Sequence, residues 1–254
     1  MSSEKSSAIV LRVIDFSETS CVVTLMTRDF GKITALAKGA RRRKSPFEAA
    51  LDVLAICRVV FLHKKNQSLD LLTEAKLDRR FRAGAHDLER LYAAYYVTEL
   101  LSGLTDEGDP HKALYDLAEE TICQLDSGET CSAALLLQFE LGTLSILGHS
   151  PMLTQCVGCG RQRTNQERRV SFGLNEGGII CQSCRKGKSN VVSLSGDSWK
   201  TMVRFSDTVD QTDPMIIPEN CHGETRSVMN QYLSHLLGYR PKLQKYITQT
   251  YGKH

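Results

Sequence analysis

Four cysteines in two pairs are the residues of this chain whose types and spacing point most directly to chemistry: Cys156 with Cys159, and Cys181 with Cys184. Two residues between the thiols of a pair let one tight turn direct both sulfurs at a single point. A second pair then completes a tetrahedron around Zn²⁺. Because four thiolates close the coordination sphere, the pattern predicts one structural zinc ion and no open position for a catalytic water.

The segment between the two pairs is consistent with this prediction. Its 21 residues, 160–180, are just outside the roughly 15 to 20 of the zinc-site template. Turn-prone residues surround Phe172, as expected if a β-hairpin returns the second pair to the first: Gly173, Asn175, Gly177 and Gly178. A redox Cys-x-x-Cys or a disulfide pair is the alternative, although a thioredoxin-like motif needs only one such pair.

The N-terminus and the hydropathy of the chain bear on the cellular compartment. The opening MSSEKSSAIV has no apolar h-region, and no stretch approaches about 18 uninterrupted apolar residues. We therefore expect a cytoplasmic protein with no membrane association. A reducing compartment suits thiolate–zinc chemistry and argues against a disulfide framework.

The charged residues are distributed in blocks of opposite sign. Residues 1–83 carry 16 Lys and Arg against 9 Asp and Glu, residues 84–155 carry 2 against 12, and residues 156–254 carry 14 against 8. Such blocks predict different partners for different parts of the chain. The basic N-terminal block is the candidate for binding a polyanion, and the acidic middle block is not.

The basic N-terminal block has the pattern of β-strands. Five short segments are rich in Val, Ile, Leu and Thr, and several alternate with period two: 8–14, 20–27, 32–38, 52–62 and 69–77. The turn from Arg28 to Gly31 is typical of a short hairpin. Five strands in about 75 residues fit a small closed barrel, and the OB-fold is the five-stranded barrel that binds oligonucleotides. Periodicity alone does not separate it from an SH3-like barrel.

A cluster of cations lies between the third and fourth predicted strands. Five of them occur in seven residues: Lys38, Arg41, Arg42, Arg43 and Lys44. They suit phosphate contacts, because each neutralised phosphate releases condensed counterions and arginine binds phosphate with two hydrogen bonds. A solvated loop or a targeting signal is the alternative. Further cations in or beside the strands extend the patch: Arg12, Arg28, Lys32, Arg58, Lys64 and Lys65. Phe16, Phe30 and Phe47 are near turns, where they either stack on bases or pack in the core.

Helical periodicity begins near residue 84. Apolar residues recur at helical spacing over 88–104, 114–125 and 135–147, and further helices are predicted over 194–206 and 224–238. The predicted fold class is α+β, with a five-stranded OB-fold barrel followed by an α-helical domain that carries an inserted four-cysteine zinc-finger hairpin. The predicted domains are 1–80 (OB-fold), 84–150 (first helical part), 151–190 (zinc insert) and 191–254 (second helical part).

Sequence signatures of enzymes are weak or missing. Gly187-Lys188-Ser189 resembles the end of a P-loop, but the first glycine of that motif is replaced by Gln182. The sequence contains no His-Glu-x-x-His, nucleophile elbow or dinucleotide-binding glycine pattern. We therefore predict a non-enzymatic, nucleic-acid-binding protein. A zinc-ribbon RNA-binding regulator of transcription or translation is the alternative, and a purely structural adaptor is a third possibility.

Three stretches resemble the bacterial RecO family of recombination mediators. The first is the opening AIVLRVIDFSETSCVVTLMTRDFGKITALAKGARRRKSPF, with its Gly31-Lys32 and Lys38-Gly39-Ala40-Arg41 run. The others are LTQCVGCG, followed by FG, GG and Cys-x-x-Cys, and the late HLLGYRPKLQKYI. The resemblance covers nearly the whole chain. It implies an OB-fold that binds single- and double-stranded DNA, in a nucleoid-associated protein of DNA repair and homologous recombination. Because some family members lack the cysteines, it also implies that the metal is structural.

The resemblance further implies protein partners. Members of the family anneal complementary strands, join RecR, and help RecA displace single-strand-binding protein, whose acidic C-terminal tail docks on the helical region. Such a tail needs cations beside an apolar groove. The acidic middle block supplies almost none, so the expected contacts are in the C-terminal helices: Arg226, Tyr232, Arg240 and Lys242. The alternative is that the apolar stripe of the predicted helix 224–238 belongs to the core and that the cations are solvated.

Overall fold

The chain divides into two compact units, residues 1–127 and 128–254. The computed structural model describes residues 2–42, 45, 47, 50–63, 69–163, 168–207 and 216–250. The boundary between the units follows the second helix, inside the predicted segment 84–150. The four predicted domain boundaries stay predictions.

The first unit begins with a closed five-stranded barrel. Its strands are β1 (Ser2–Asp15), β2 (Cys21–Thr27), β3 (Gly31–Ala37), β4 (Ile56–His63) and β5 (Asp70–Arg79). They follow one another around the barrel in the order β1-β2-β3-β5-β4, and β3 pairs with β5 in parallel while the other pairs are antiparallel. A five-stranded closed barrel confirms the predicted N-terminal fold.

Period-two alternation of apolar residues builds the core of the barrel. In β2 and β3, alternate side chains are buried, with Val23, Leu25 and Ala35 fully enclosed. The predicted hairpin between these strands is confirmed, because Thr27 pairs with Gly31. The hydroxyl of Thr27 accepts a hydrogen bond from the backbone N–H of Phe30 and donates one to the carbonyl of Gly31. The side chain of Thr27 therefore satisfies two backbone groups of the turn.

Two helices complete the first unit, as the periodicity predicts. They are α1 (Leu88–Leu104) and α2 (Lys112–Ser127), preceded by a short 3₁₀ turn at Ala83–Ala85. The carboxylate of Asp87 caps α1 by accepting from the backbone N–H of Arg90. Tyr96, Leu100 and Tyr115 are fully buried, so the apolar stripes of both helices are core.

Gly31 allows the start of β3 to approach the loop between α1 and α2. Its backbone has φ +70°, and a Cβ there would lie 2.1 Å from the carbonyl oxygen of Asp109. The backbone of this loop also pairs with β3, since the N–H of Gly108 donates to the carbonyl of Lys32 at 2.9 Å. A side chain at position 31 is therefore excluded both by backbone conformation and by contact with backbone.

We expect Gly31→Ala to destabilise the chain by more than the roughly 1–3 kcal/mol of a strained backbone conformation, because the loop must also move. Gly108→Ala is the matched control. Gly108 has nearly the same φ, +74°, but a Cβ there meets nothing within 4 Å. Urea unfolding of both variants measures the difference. Equal losses of unfolding free energy in the two would contradict the proposed close approach.

In its described residues, the second unit combines five helices with a three-stranded sheet. The helices are α3 (Ser132–Ile146), α4 (Gln182–Arg185), α5 (Gly196–Ser206), α6 (Glu219–Leu237) and α7 (Gln244–Thr250). The strands are β6 (Arg169–Gly173), β7 (Gly178–Ile180) and β8 (Val191–Ser195), in the order β7-β6-β8. The structure thus confirms a helical region after the barrel and a hairpin between the two cysteine pairs.

One element of the second unit differs from the prediction, and another was not predicted. The expected helix 194–206 begins at Gly196, because the preceding residues form β8 and Ser195 caps the helix by accepting from the N–H of Ser198. The C-terminal segment, which is polar in sequence, forms α7 and buries Ile247. Short apolar runs such as 191–194 are ambiguous between strand and helix in sequence alone.

Candidate metal centre and nucleic-acid interface

The four predicted metal ligands come together at one point. The Sγ atoms of Cys156, Cys159, Cys181 and Cys184 all lie within 4.8 Å of one another, and those of Cys159 and Cys181 are 3.8 Å apart. In a tetrahedron with Zn–S bonds of about 2.3 Å, two sulfurs are about 3.8 Å apart. The cluster therefore fits a metal ion held by four sulfurs. It uses both pairs, whereas a redox motif would use one.

Local backbone geometry aims the sulfurs at this point. Gly160 has φ +69° and its N–H donates to the carbonyl of Cys156 at 2.8 Å, which closes the first turn. At Gly158, a Cβ would lie 3.1 Å from the Sγ of Cys184, so the glycine leaves space for the second pair. Pairing of Ser171 with Ile180 in the hairpin then brings Cys181 back beside the first turn.

The ionisation of the thiols indicates a place for a cation. Burial acts to raise the pKa of Cys156, but backbone N–H groups of Cys181, Cys159 and Gly158 lower that pKa to about 6. Hydrogen bonding among the thiols, with Cys181 first, raises the pKa of Cys184 to about 12. A hydrogen bond from the backbone of Cys184 also lowers the pKa of Cys181. The protein alone thus favours thiolates at Cys156 and Cys181 and opposes the accumulation of four. A divalent cation offsets that repulsion.

The segment 156–195, here called the cysteine module, packs on the helices of its own unit. The buried ring of Phe172 meets Tyr232 of α6 edge to face, with ring centroids 5.3 Å apart. Glu224, also in α6, accepts from the N–H of Ser195 at 2.7 Å and from the hydroxyl of Ser198 at 3.0 Å. The module therefore has an inner apolar face that is anchored to α6.

The basic loop after β3 comprises residues 38–44, and its described part, 38–42, lies against the loop between β1 and β2. The N–H of Arg41 donates to the carbonyl of Thr19 at 3.0 Å, and that of Gly39 donates to the hydroxyl of Ser20 at 3.2 Å. The Arg41 guanidinium also pairs with Asp15 at 2.9 Å, with about half of the arginine side chain exposed. Lys38 and Arg42 are exposed, and so is Arg12 in β1. Arg43 and Lys44, like Lys64 and Lys65, lie outside the described residues.

One of the three candidate aromatic residues is at the surface beside this basic loop. Phe16, the first residue after β1, is 65% exposed. Phe30 packs edge to face on Phe61, and Phe47 is 3% exposed in the barrel core. Phe16 is therefore the one of the three positioned to stack on a base.

Two of the predicted phosphate contacts have intramolecular partners: this corrects the assignment of Lys32, whereas Arg28 is 44% exposed in an ion pair and stays a prediction. The Nζ of Lys32 donates to the carbonyl of Ser102 at 2.6 Å and also to that of Thr105, at the C-terminal end of α1. A cation there satisfies carbonyls that the helix leaves without partners. Arg28 forms two hydrogen bonds with the Asp116 carboxylate, and it holds the pKa of that carboxyl below its usual value. Both side chains join the barrel to the helices of the first unit.

Two of the predicted partner contacts are interior, and this too corrects the prediction. Arg226 is paired with Glu140 of α3, and the side chains of the two are 8% and 0% exposed. Tyr232 is 4% exposed, and its hydroxyl donates to the carbonyl of His149 at 3.0 Å. The sequence analysis did not single out Glu140. Its position within a run of apolar residues was the signal that could have indicated a buried carboxylate. Arg240 and Lys242 are exposed, as predicted for a surface contact.

A small cavity lies next to the Arg226–Glu140 pair in the second unit. It is lined by Ala133, Leu137, Ile217, His222, Thr225 and Arg226. None of the helices in the described part of the chain is both long enough and apolar enough to cross a membrane.

Comparison with known proteins identifies the family. The family described as "Recombination protein O N terminal" matches residues 1–81, and "Recombination protein O C terminal" matches residues 85–245. The chain is 40% identical to the DNA repair protein RecO of Rhodopirellula baltica, over 94% of this chain and 97% of the relative. It is 31% identical to the DNA repair protein RecO of Anaeromyxobacter dehalogenans, over 98% and 97% of the two chains. The chain therefore belongs to the RecO family of DNA repair proteins.

Proposed function

We propose that this chain is a recombination mediator that binds single- and double-stranded DNA, anneals complementary strands and, with RecR, promotes RecA loading onto DNA coated by single-strand-binding protein. Its place of action is the cytoplasm, at the nucleoid. The observation that carries the proposal is the arrangement on the barrel, where the basic loop is tied to the loop that carries Phe16. OB-folds bind nucleic acid at the loop between their first two strands, among other surfaces.

The charges and the aromatic ring of this surface have complementary roles in the proposal. Lys38, Arg41 and Arg42 are exposed cations that neutralise phosphates, and an exposed Phe16 offers a ring on which a base stacks. The Asp15–Arg41 pair does not prevent this, because an exposed ion pair contributes at most about 1 kcal/mol and a phosphate can replace the carboxylate. Phosphate contacts carry no base information, so binding is independent of sequence.

The cysteine cluster has a structural role in this proposal. We propose that it holds one Zn²⁺, because four thiolates at tetrahedral spacing suit zinc and leave no coordination position for a reacting group. The ion would fix Cys156 and Cys159 to the hairpin that bears the second pair. No step of DNA annealing passes through it.

A strand-annealing assay tests the proposal. The purified chain is mixed with complementary single strands, bare or coated with single-strand-binding protein, and duplex formation is followed over time. We expect acceleration on bare strands, and on coated strands we expect RecA filaments to form faster when RecR is added. Gel shifts with RNA of matched length and sequence are the control. Tighter binding to RNA and no annealing of DNA would favour an RNA-binding regulator instead.

We also propose that the acidic tail of single-strand-binding protein docks on the second unit through Arg240 and Lys242. Reversing both charges to Glu is expected to weaken binding of a tail peptide about tenfold or more. Each exposed ion pair contributes up to about 1 kcal/mol, and about 1.4 kcal/mol is a factor of ten. Fluorescence anisotropy of a labelled peptide measures the change, and DNA affinity should be unaffected.

The matched control for the tail reverses two exposed cations of α5, Lys200 and Arg204. Peptide affinity should change little in that variant. Arg226→Glu is not a suitable test, because it would place two buried carboxylates against each other and unfold the unit. If the Arg240 and Lys242 variant binds the peptide as tightly as the unchanged chain, these residues are not the docking site, and the cavity next to Arg226 is the next candidate.

A further inference from the structure

The cysteine module is the most basic part of the second unit. Half of the cations of residues 156–254 fall within it, seven Lys and Arg against two Glu: Arg161, Arg163, Arg168, Arg169, Arg185, Lys186, Lys188, Glu167 and Glu176. Of the two carboxylates, Glu176 pairs with Lys188 at 3.0 Å, and Glu167 lies outside the described residues. Neither the proposed DNA contacts of the barrel nor the structural role of the metal accounts for the excess of positive charge in this module.

The three-stranded sheet of the module has one apolar face and one face that is polar along β6 and β8. Val170, Phe172 and Leu194 are buried on the inner face. Alternation along the strands places Arg169 and Ser171 of β6 on the opposite, outer face, together with Ser193 of β8, the register partner of Ser171. Ile180 of β7, the other register partner of Ser171, lies on this face too but is only 5% exposed. The outer face is therefore polar along Arg169, Ser171 and Ser193, whereas the inner face packs on α6.

Two arginines are held on this outer face by serine oxygens. The Nε of Arg169 donates to the hydroxyl of Ser193 at 2.9 Å. The Nη1 of Arg185 donates to the hydroxyl of Ser171 at 3.3 Å, which carries this arginine from the end of α4 onto the same face. Because Ser171 and Ser193 are register partners, the two guanidinium groups bracket one position of the sheet.

The charge of these arginines is only partly neutralised. Arg169 also reaches the Glu224 carboxylate of α6 at 3.3 Å, whereas the hydrogen bond recorded for Arg185 goes to a neutral hydroxyl. Lys186 follows Arg185 and is exposed. Each guanidinium carries five donors in a fixed fork. Arg185 directs one of them to Ser171, and Arg169 directs three to Ser193 and Glu224, so further donors can meet an incoming oxyanion. We call Arg169, Arg185 and Lys186 the outer basic face.

We propose that the outer basic face is a second phosphate-binding surface for single-stranded DNA, in addition to the basic loop of the barrel. This inference rests on the proposed function and assigns a further surface to it. Arginine, lysine and serine donors are the groups that contact phosphates in protein–DNA complexes. An acidic peptide that ends in an apolar residue would instead require an apolar groove beside the cations.

A second surface gives the chain two attachment points for one long strand, or one for each of two strands. Two linked contacts bind more tightly than either one alone, since the second contact forms at high effective concentration. A short oligonucleotide that occupies the barrel loop alone gains nothing from the second surface. Dependence of the effect on oligonucleotide length therefore distinguishes the second surface from the basic loop.

The test replaces Arg185 and Lys186 together by Ala and leaves Arg169, which is tied to Glu224, unchanged. Affinity for a long single strand should fall on the order of tenfold at about 0.1 M salt, and the salt slope should decrease by about 0.7 per lost contact. Affinity for an oligonucleotide of about 10 nucleotides, within the site size of one OB-fold, should stay the same. Unchanged metal content and unfolding temperature show that the module is folded.

Lys200→Ala with Lys245→Ala is the matched control, because it removes the same charge from α5 and α7 of the same unit. Its affinity for the long strand should change by less than about twofold. Unchanged affinity and salt slope in the Arg185 and Lys186 variant overturn the inference but leave the proposed function intact, provided that replacing the basic loop weakens binding. Loss of tail-peptide binding in place of DNA binding would also overturn it. A chain that binds no single-stranded DNA at all contradicts the proposed function itself.

Discussion

Cys156→Ser is expected to remove the bound metal and to lower the unfolding temperature of the chain by roughly 10 °C or more. Structural zinc contributes about 10–16 kcal/mol in zinc-finger peptides, and a loss of even about 4 kcal/mol shifts the midpoint by roughly 10 °C in a chain of this size. The unchanged chain should carry about one zinc ion, measured by atomic emission on freshly purified, reduced protein. The variant should carry almost none.

The structure indicates why this loss should be large. Cys156 is buried, and its Sγ accepts the N–H of Cys181 at 3.3 Å, so the sulfur links the first turn to the hairpin even before a metal binds. Serine keeps the size of the side chain but is a poor zinc ligand. The turn then loses the metal that links it to the second pair.

Cys131→Ser is the matched control for the metal. Cys131 is exposed, lies outside the cluster, and is the N-cap of α3 with no side-chain hydrogen bond. Because serine is a preferred N-cap, this variant should keep its metal and be equally or slightly more stable. A metal-free unchanged chain, or a Cys156→Ser variant that retains its metal, would show that the four sulfurs are not the site.

The sequence predicted those parts of the site whose geometry depends on residues close together in the chain. A Cys-x-x-Cys pair fixes two ligands within one turn, and the hairpin between the pairs needs only the turn residues that its sequence supplies. The barrel strands were predictable in the same way, from period-two alternation. Their order was not, because the parallel pairing of Ala35 with Asp70 joins strands that are distant in sequence.

The residues that sequence analysis misplaced have partners far along the chain. Lys32 and Arg226 are charged residues next to apolar ones, and such a pattern is typical of exposed side chains. Lys32 donates to a carbonyl 70 residues away, and Arg226 pairs with a carboxylate 86 residues away. A buried charge persists only with such a partner, and the partner is not visible in the local sequence. Burial, rather than residue type, decides which cations remain available to DNA.

Replacing Arg41, Arg42 and Arg43 together by Ala is expected to weaken binding to all single-stranded sequences by on the order of 10- to 100-fold at about 0.1 M salt. Each phosphate contact contributes about 0.7 to the slope of log K against log salt on single strands, so three lost contacts flatten the slope by about 2. Competition titrations over a series of salt concentrations measure both quantities. The effect should be similar for all base compositions, because phosphate contacts do not read bases.

The control variant removes three other exposed arginines of the first unit, Arg79, Arg80 and Arg82, at and just beyond the end of β5. Its formal charge equals that of the loop variant, so any loss caused only by net charge is the same in both. We expect the loop variant to lose more affinity and more of the salt slope, since Arg41 and Arg42 belong to the loop that is tied to the Phe16 loop and the control arginines do not. If both variants lose affinity equally, the chain attracts DNA through its overall positive field. If the loop variant alone keeps full affinity and slope, DNA binds elsewhere on the chain.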